Sequence, residues 1–170
     1  MESKKYTDYI NEHRKNVCGI WRDIGLTLKE KFNLDNELMA IISDLILEHD
    51  RSKFSEEEFS GYCQWFYTGD GDDKDKESFD RAWNHHQKAN PHHWQYWLMY
   101  ERGEIKALDM PIVYIIEMLC DWSAMACKFK DTPCDFYEKN KGAMFLSNRT
   151  RENVERYIEC FNNLFNNDLR

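Results

Sequence analysis

The sequence predicts an all-α fold. Three observations carry that expectation. Apolar residues recur at helical spacing through most of the chain. Seven Gly and three Pro in 170 residues leave few helix breakers. No stretch alternates apolar and polar residues for long enough to make a useful strand. Hydrophobic residues make up 42% and aromatic residues 15% of the chain. That is enough to bury a core without staples, and the length suits one domain over residues 1–170.

A first helix is expected from about Thr7 to Lys31, with Tyr6, Ile10, His13, Val17, Ile20, Ile24 and Leu28 on one stripe. His13 therefore faces inward. A second starts near Asp35 and carries Leu38, Ile41, Ile42, Leu45, Ile46 and His49, so His49 continues an apolar stripe. Ser55 with Glu58 three residues on reads as a capping box for a third helix, 56–67, whose apolar side is Phe59, Tyr62, Cys63 and Phe66. The segment "TGDGDDKDKE" reads as an acidic loop; it resembles a calcium loop in composition alone.

A fourth helix over 77–89 puts Phe79, Ala82, Trp83 and His86 on one stripe, with His85 close to it. Asn90-Pro91 breaks it and is expected to open a new, aromatic helix, "PHHWQYWLMY". "ERGEIKALD" reads as a polar connector. Pro111 opens a strong helix to about Lys130, with Tyr114, Glu117, Met118, Asp121 and Met125 on one face. "DTPCDFYEKNKGAMFLSN" reads as irregular. Thr150 is expected to cap a final helix burying Val154, Tyr157, Ile158, Phe161 and Leu164 or Phe165.

The net charge of −8 and pI near 5.3 argue against extended nucleic-acid binding, because backbone phosphates would be repelled. No apolar run is long enough to span a bilayer, and the polar start "MESKKYTDY" is not a signal peptide. None of the six cysteines forms a C-x-x-C pair, so reduced thiols in a cytoplasmic protein are expected. The oligomeric state stays open.

The chemistry concentrates in the histidines. His49-Asp50 closes an apolar helical run, where two polar heads are costly to bury unless a partner such as a metal ion satisfies them. His13, His49, Asp50 and Asp121 together offer imidazole and carboxylate, a set that suits Mn, Fe, Co, Ni or Zn. Four such ligands leave positions open for water, which becomes a hydroxide near neutral pH and attacks phosphorus. Lys53 reads equally as a phosphate contact or a surface lysine. Glu117 reads as a ligand, as an orienter of a ligating histidine, or as a salt bridge at the core edge. Trp83, Trp94, Tyr96 and Trp97 read as core, or as the wall of a pocket that stacks a base.

The order His…His-Asp…Asp on an all-α chain resembles the HD-domain superfamily of metal-dependent phosphohydrolases. The resemblance covers residues 13 to about 125. It implies an HD-like helical bundle of about six to seven helices. It places His13 as the first ligand, His49-Asp50 as the namesake pair and Asp121, in "EMLCDWSAM", as the last. "HDRSK" resembles the family's H-D-x-x-K form, which implies that Lys53 lies near the substrate phosphate. Small residues usually follow the pair in that family; Arg51 and Ser52 follow it here.

Family members with two metals add histidines between the pair and the final Asp. That implies a second ion on Asp50 with one histidine from His85 or His86 and one from His92 or His93, of which His86 and His92 are the first candidates. The implied function is hydrolysis of a nucleotide or another small phosphate ester, with Lys53 and Glu117 as catalytic candidates. Two alternatives stay open: an HD-related di-iron oxygenase, and a non-catalytic interaction protein stabilised by a metal. The segments "AWNHHQKANPHHWQYW" and "MPIVYIIEMLCDW" are also similar to a family of bacterial and phage proteins to which no activity attaches.

Overall fold

A computed structural model describes residues 2–68 and 74–167. The chain folds as an all-α bundle. Its helices are α1 (Glu2–Phe32), α2 (Asn36–Glu48), α3 (Glu56–Tyr67), α4 (Lys76–Ala89), α5 (Ile112–Phe129), α6 (Pro133–Asn140) and α7 (Asn148–Asn167). Strands β1 (Leu98–Glu101) and β2 (Glu104–Ala107) form a small antiparallel hairpin. None of the described helices is long and apolar enough to cross a membrane.

Local chemistry explains most boundaries. The Asp35 carboxylate accepts from the Leu38 N–H at 2.8 Å and caps α2. Asp75 does the same for α4 through Ser78, and Thr132 for α6 through Asp135. Lys130, in the left-handed region at φ 56°, ends α5.

The helices enclose two apolar clusters. The larger one joins α1, α2, α5, α6 and α7 around Val17, Ile24, Ile42, Ile46, Ile115, Leu119 and Phe161. The smaller one joins the first turns of α1 to α3 and α4 through Tyr6, Ile10, Tyr62, Cys63 and Ala82. Along α1, Ile10 belongs to one cluster and Val17 to the other, and His13 lies between them. The polar site thus occupies the seam between two dry cores.

Several expectations are corrected. The first helix starts five residues earlier than expected, at Glu2. Ser55 precedes α3 but its hydroxyl makes no capping bond, and the Glu58 carboxylate, the other half of the expected box, turns inward to histidine. Asn90 ends α4 rather than starting a helix; its side chain bonds the His86 carbonyl at 2.8 Å. After Pro91 there is only a 3-10 turn, Trp94–Trp97, and the hairpin follows it. Arg102 and Gly103 both have positive φ, 53° and 87°, the backbone of a two-residue hairpin turn.

The segment expected to be irregular contains α6. Ser147, not Thr150, caps α7: its hydroxyl accepts from the Thr150 N–H at 3.1 Å. Thr150 is buried and accepts from the Met110 N–H instead. Phe66 is exposed, not buried. The acidic loop lies, over residues 69–73, outside the described residues.

Helices α3 and α4 approach closely at Gly61. A Cβ there would lie 2.6 Å from the Ser78 carbonyl oxygen and 2.8 Å from the Ala82 Cβ. Intrinsic helix propensity alone favours alanine by about 1 kcal/mol. Gly61→Ala is nevertheless expected to destabilise the fold by about 1–3 kcal/mol through overpacking. Denaturant unfolding checks this; an unchanged or higher stability would show that the two helices separate without cost.

Candidate metal centre

The centre is assembled by five segments. His13 comes from α1 and Asp121 from α5. His49 and Asp50 follow the last turn of α2, His86 comes from the last turn of α4, and His92 and His93 lie in the loop behind Pro91. Asp50 holds a left-handed conformation, φ 56° and ψ 19°, which Asp tolerates better than most residues. The 3-10 turn Arg51–Phe54 then brings Lys53 back onto Asp50, with Nζ 2.6 Å from Oδ2.

The two oxygens of Asp50 serve two different groups. Oδ2 faces His13 Nε2 at 3.5 Å and His49 Nε2 at 3.7 Å. Asp121 Oδ1 completes that group, 3.0 Å from His13 Nε2 and 3.7 Å from His49 Nε2. Oδ1 of Asp50 faces His86 Nε2 at 3.3 Å and His92 Nε2 at 3.5 Å. His93 joins this second group; Asp50, His86, His92 and His93 each offer one ligand atom, all within 4.8 Å of one another. Two atoms that each lie about 2.1 Å from one ion are themselves about 3–3.5 Å apart. The spacings within each group, slightly wider than this, could hold a metal ion.

Several donor atoms have no other employment. His49 Nε2, His92 Nε2, His93 Nε2 and Asp50 Oδ1 are buried without a hydrogen-bond partner. Orphaned buried polar atoms are costly, and four of them aimed at one small volume fit a cation.

Behind the imidazoles stands a layer of carboxylates. Glu117 Oε1 accepts from His49 Nδ1 at 2.9 Å and from His92 Nδ1 at 3.0 Å. One carboxylate oxygen thus fixes a histidine of each group, with each Nε2 pointing forward. These bonds account for the close grouping of His49, His92 and Glu117 without an ion between them. Glu58 Oε2 accepts from His86 Nδ1 at 2.8 Å, and its Oε1 accepts from His85 Nδ1 at 2.8 Å. Such partners fix the tautomer and raise the basicity of a ligating imidazole.

The electrostatics follow. Burial opposes charge on Asp50, but Lys53, His49 and His86 hold its carboxyl well below the usual range. Burial likewise opposes charge on Asp121, and His13 and His49 overcome it in the same direction. For His49 burial acts downward, yet Asp50, Asp121 and Glu117 together raise it to about 10. His93 is the opposite: burial, then His92 and His86, push it well below the usual imidazole range, so it is neutral and ready to ligate.

All the sequence-derived ligands converge: His13, His49, Asp50, His86, His92 and Asp121. Lys53 is at the centre, on the Asp50 carboxylate. Glu117, expected as a catalytic group, is placed behind His49 and His92 and acts through them. Glu58 was not among the expected functional residues, and His93 was expected only as the alternative to His92. The helix expected after Pro91 put His92 and His93 together in its first turn without choosing between them; the structure brings both to the second group. Glu58 was hidden by its capping-box spacing; the signal that separates the two readings is the His85-His86 pair on the adjoining helix.

Residues 2–160 match the model of a family of unknown function, DUF5662. The chain belongs to that family. The match includes every residue of the centre, from His13 to Asp121. Comparison with curated proteins gives no match, and comparison with solved structures gives none.

The ionisation of the centre and its layer of carboxylates can each be tested. Loading the metal-free protein with Zn2+ or Mn2+ at pH 7.5 in weak buffer is expected to release protons, because His49 is protonated in the empty site and must give up Nε2 to ligate. The raised His49 stabilises the metal-free fold fully below pH 6.5, and that contribution is lost as pH rises toward about 10. The lowered Asp50 and Asp121 contribute above pH 3.8 and lose it on further acidification. Metal uptake with no proton release, read with an indicator dye, contradicts this. Glu117→Gln is expected to weaken metal affinity about 10- to 100-fold without emptying the site at saturating metal; wild-type affinity in a competition titration would show that Glu117 does not orient the ligands.

Proposed function

We propose that this chain is a metal-dependent hydrolase of small phosphate esters, related to the HD-domain phosphohydrolases. The observation that carries the reading is the division of Asp50 between two histidine groups, with Lys53 on the same carboxylate. His13, His49, Asp50 and Asp121 would hold one divalent ion, and Asp50, His86, His92 and His93 a second. Ions so held would supply a Lewis acid for a phosphoryl oxygen and a water that is nucleophilic at neutral pH. The donor set of imidazole and carboxylate suits Mn, Fe, Co, Ni or Zn.

The chain's own residues supply the rest. Glu117 and Glu58 keep the ligating nitrogens aimed and offset the positive charge that gathers on the imidazole side. Asp121 is the most solvent-reached of the ligand carboxylates, at 17% exposure against 2% for Asp50, so reactants meet the centre on its side. Burial opposes charge on Lys53, but Asp50 holds it protonated. It adds a fixed positive charge where negative charge grows on the phosphoryl group. A cavity reaches His92, His93 and Asp121, which speaks for chemistry over a purely structural ion.

The lining of that cavity favours a second reading, oxygen chemistry on two iron ions. Among the described residues that line it there is no Lys or Arg but Asp121 and Asp131. Metal content and turnover separate the two. Asp50→Ala is expected to lose metal and hydrolysis together. Lys53→Ala is expected to keep its metal and lose about 100-fold in rate, because removing a cation that is not itself a ligand weakens charge stabilisation without emptying the site. The assay is turnover of nucleoside monophosphates, cyclic nucleotides and simple phosphate esters. Fully loaded protein that hydrolyses none of them but consumes oxygen with iron would favour the second reading. Full loading with neither activity would reduce the ions to a structural role.

A further inference from the structure

The cavity beside the centre has a chemistry of its own. Its volume is about 310 Å3, at the small end of ligand sites. His92, His93 and Asp121 form its inner end, so it opens onto ligands of both groups. Its walls are Trp83, Trp94, Trp122, Met118, Met125 and Phe136, with Phe129 at the mouth, where it is 65% exposed. Trp83 stands edge-on to His93, with ring centroids 5.5 Å apart, so the aromatic wall begins directly at the ligand shell.

The polar groups of the cavity are few. Gln95 contributes a side-chain amide, with an Oε1 that has no hydrogen-bond partner. Beyond the centre, the one charged group among the described lining residues is Asp131, and it is engaged by Lys139 at 2.8 Å. A second anionic group on the substrate would meet a carboxylate here and, among the described lining residues, no cation. A flat uncharged ring meets aromatic faces and thioether sulfurs, which hold such rings by area and by edge or stacking geometry.

We propose that this cavity receives an uncharged aromatic group of the substrate, so that the chain acts on phosphate monoesters of apolar aromatic alcohols rather than on polyphosphates. This rests on the hydrolase reading above. In the reaction, water forms the new P–O bond, the P–O bond to the aromatic alcohol breaks, and the alcohol leaves with a proton; the products are phosphate and the free alcohol. No oxidant or reductant is consumed.

The test uses metal-loaded protein and two non-hydrolysable probes, 1-naphthylmethylphosphonate and methylphosphonate, compared by calorimetric titration. The naphthyl probe is expected to bind about 30-fold tighter, the value of burying most of one aromatic group. Phe129→Asp and Phe136→Ala, at exposed and half-exposed positions, are expected to narrow that gap to a few-fold while metal content shows that each variant folds. Equal affinity for the two probes would overturn the proposal, as would a preference untouched by both substitutions. Tighter binding of tripolyphosphate than of the naphthyl probe would overturn it too. Turnover of 1-naphthyl phosphate is measured in parallel. A naphthyl preference that the two variants abolish, with no turnover, supports the cavity assignment and removes the hydrolase reading instead.

Discussion

Asp50 is an ionised carboxylate at 2% exposure, and the rest of the centre is arranged around that fact. A buried charge without compensation costs several kcal/mol. Here Lys53 compensates one oxygen directly, and imidazoles crowd both oxygens at 3.3 to 3.7 Å. Behind them Glu117 and Glu58, also buried, add negative charge. Without metal, the raised His49 and His86 carry protons that balance these carboxylates. Divalent ions would replace those protons and satisfy the nitrogens that otherwise lack partners.

This constraint reaches into the fold. The ligands come from α1, α5, the ends of α2 and α4, and the loop after α4, so the ions would tie together segments that pack in two separate clusters. The left-handed backbone at Asp50 and the 3-10 turn after it are the local cost of turning both carboxylate oxygens and Lys53 to one point. Sites stored in such conformations persist where the surroundings over-determine them. Glu117 performs that service for two ligands at once, which couples the geometry of one group to the other.

Much of this was legible in the sequence because helical periodicity reports burial. His13 and His49 sit on apolar stripes, and so does His86; periodicity therefore turned them inward, and the resemblance carried by the His-Asp pair and the final Asp pointed to Asp50 and Asp121. The less legible parts have physical reasons. His92 and His93 fall in the first turn of a helix that the sequence predicts and the structure replaces by a loop and a 3-10 turn, so helical phase could not choose between them. Glu58 obeys capping-box spacing, and only tertiary contact with His85 and His86 decides that its carboxylate turns inward. The hairpin at Leu98–Ala107 has four-residue strands that are mostly exposed, too short for an alternating pattern to appear. α6, eight residues long, falls below the length at which an apolar stripe stands out.

The most direct measurement is the metal content of protein purified without a metal-affinity tag, by elemental analysis against protein concentration. The shared carboxylate and two histidine groups predict two transition-metal ions per chain, falling to none in Asp50→Ala. One ion per chain would mean that Asp50 does not bridge. Protein that contains no metal, and takes none up from excess Mn2+, Fe2+ or Zn2+, would contradict the account.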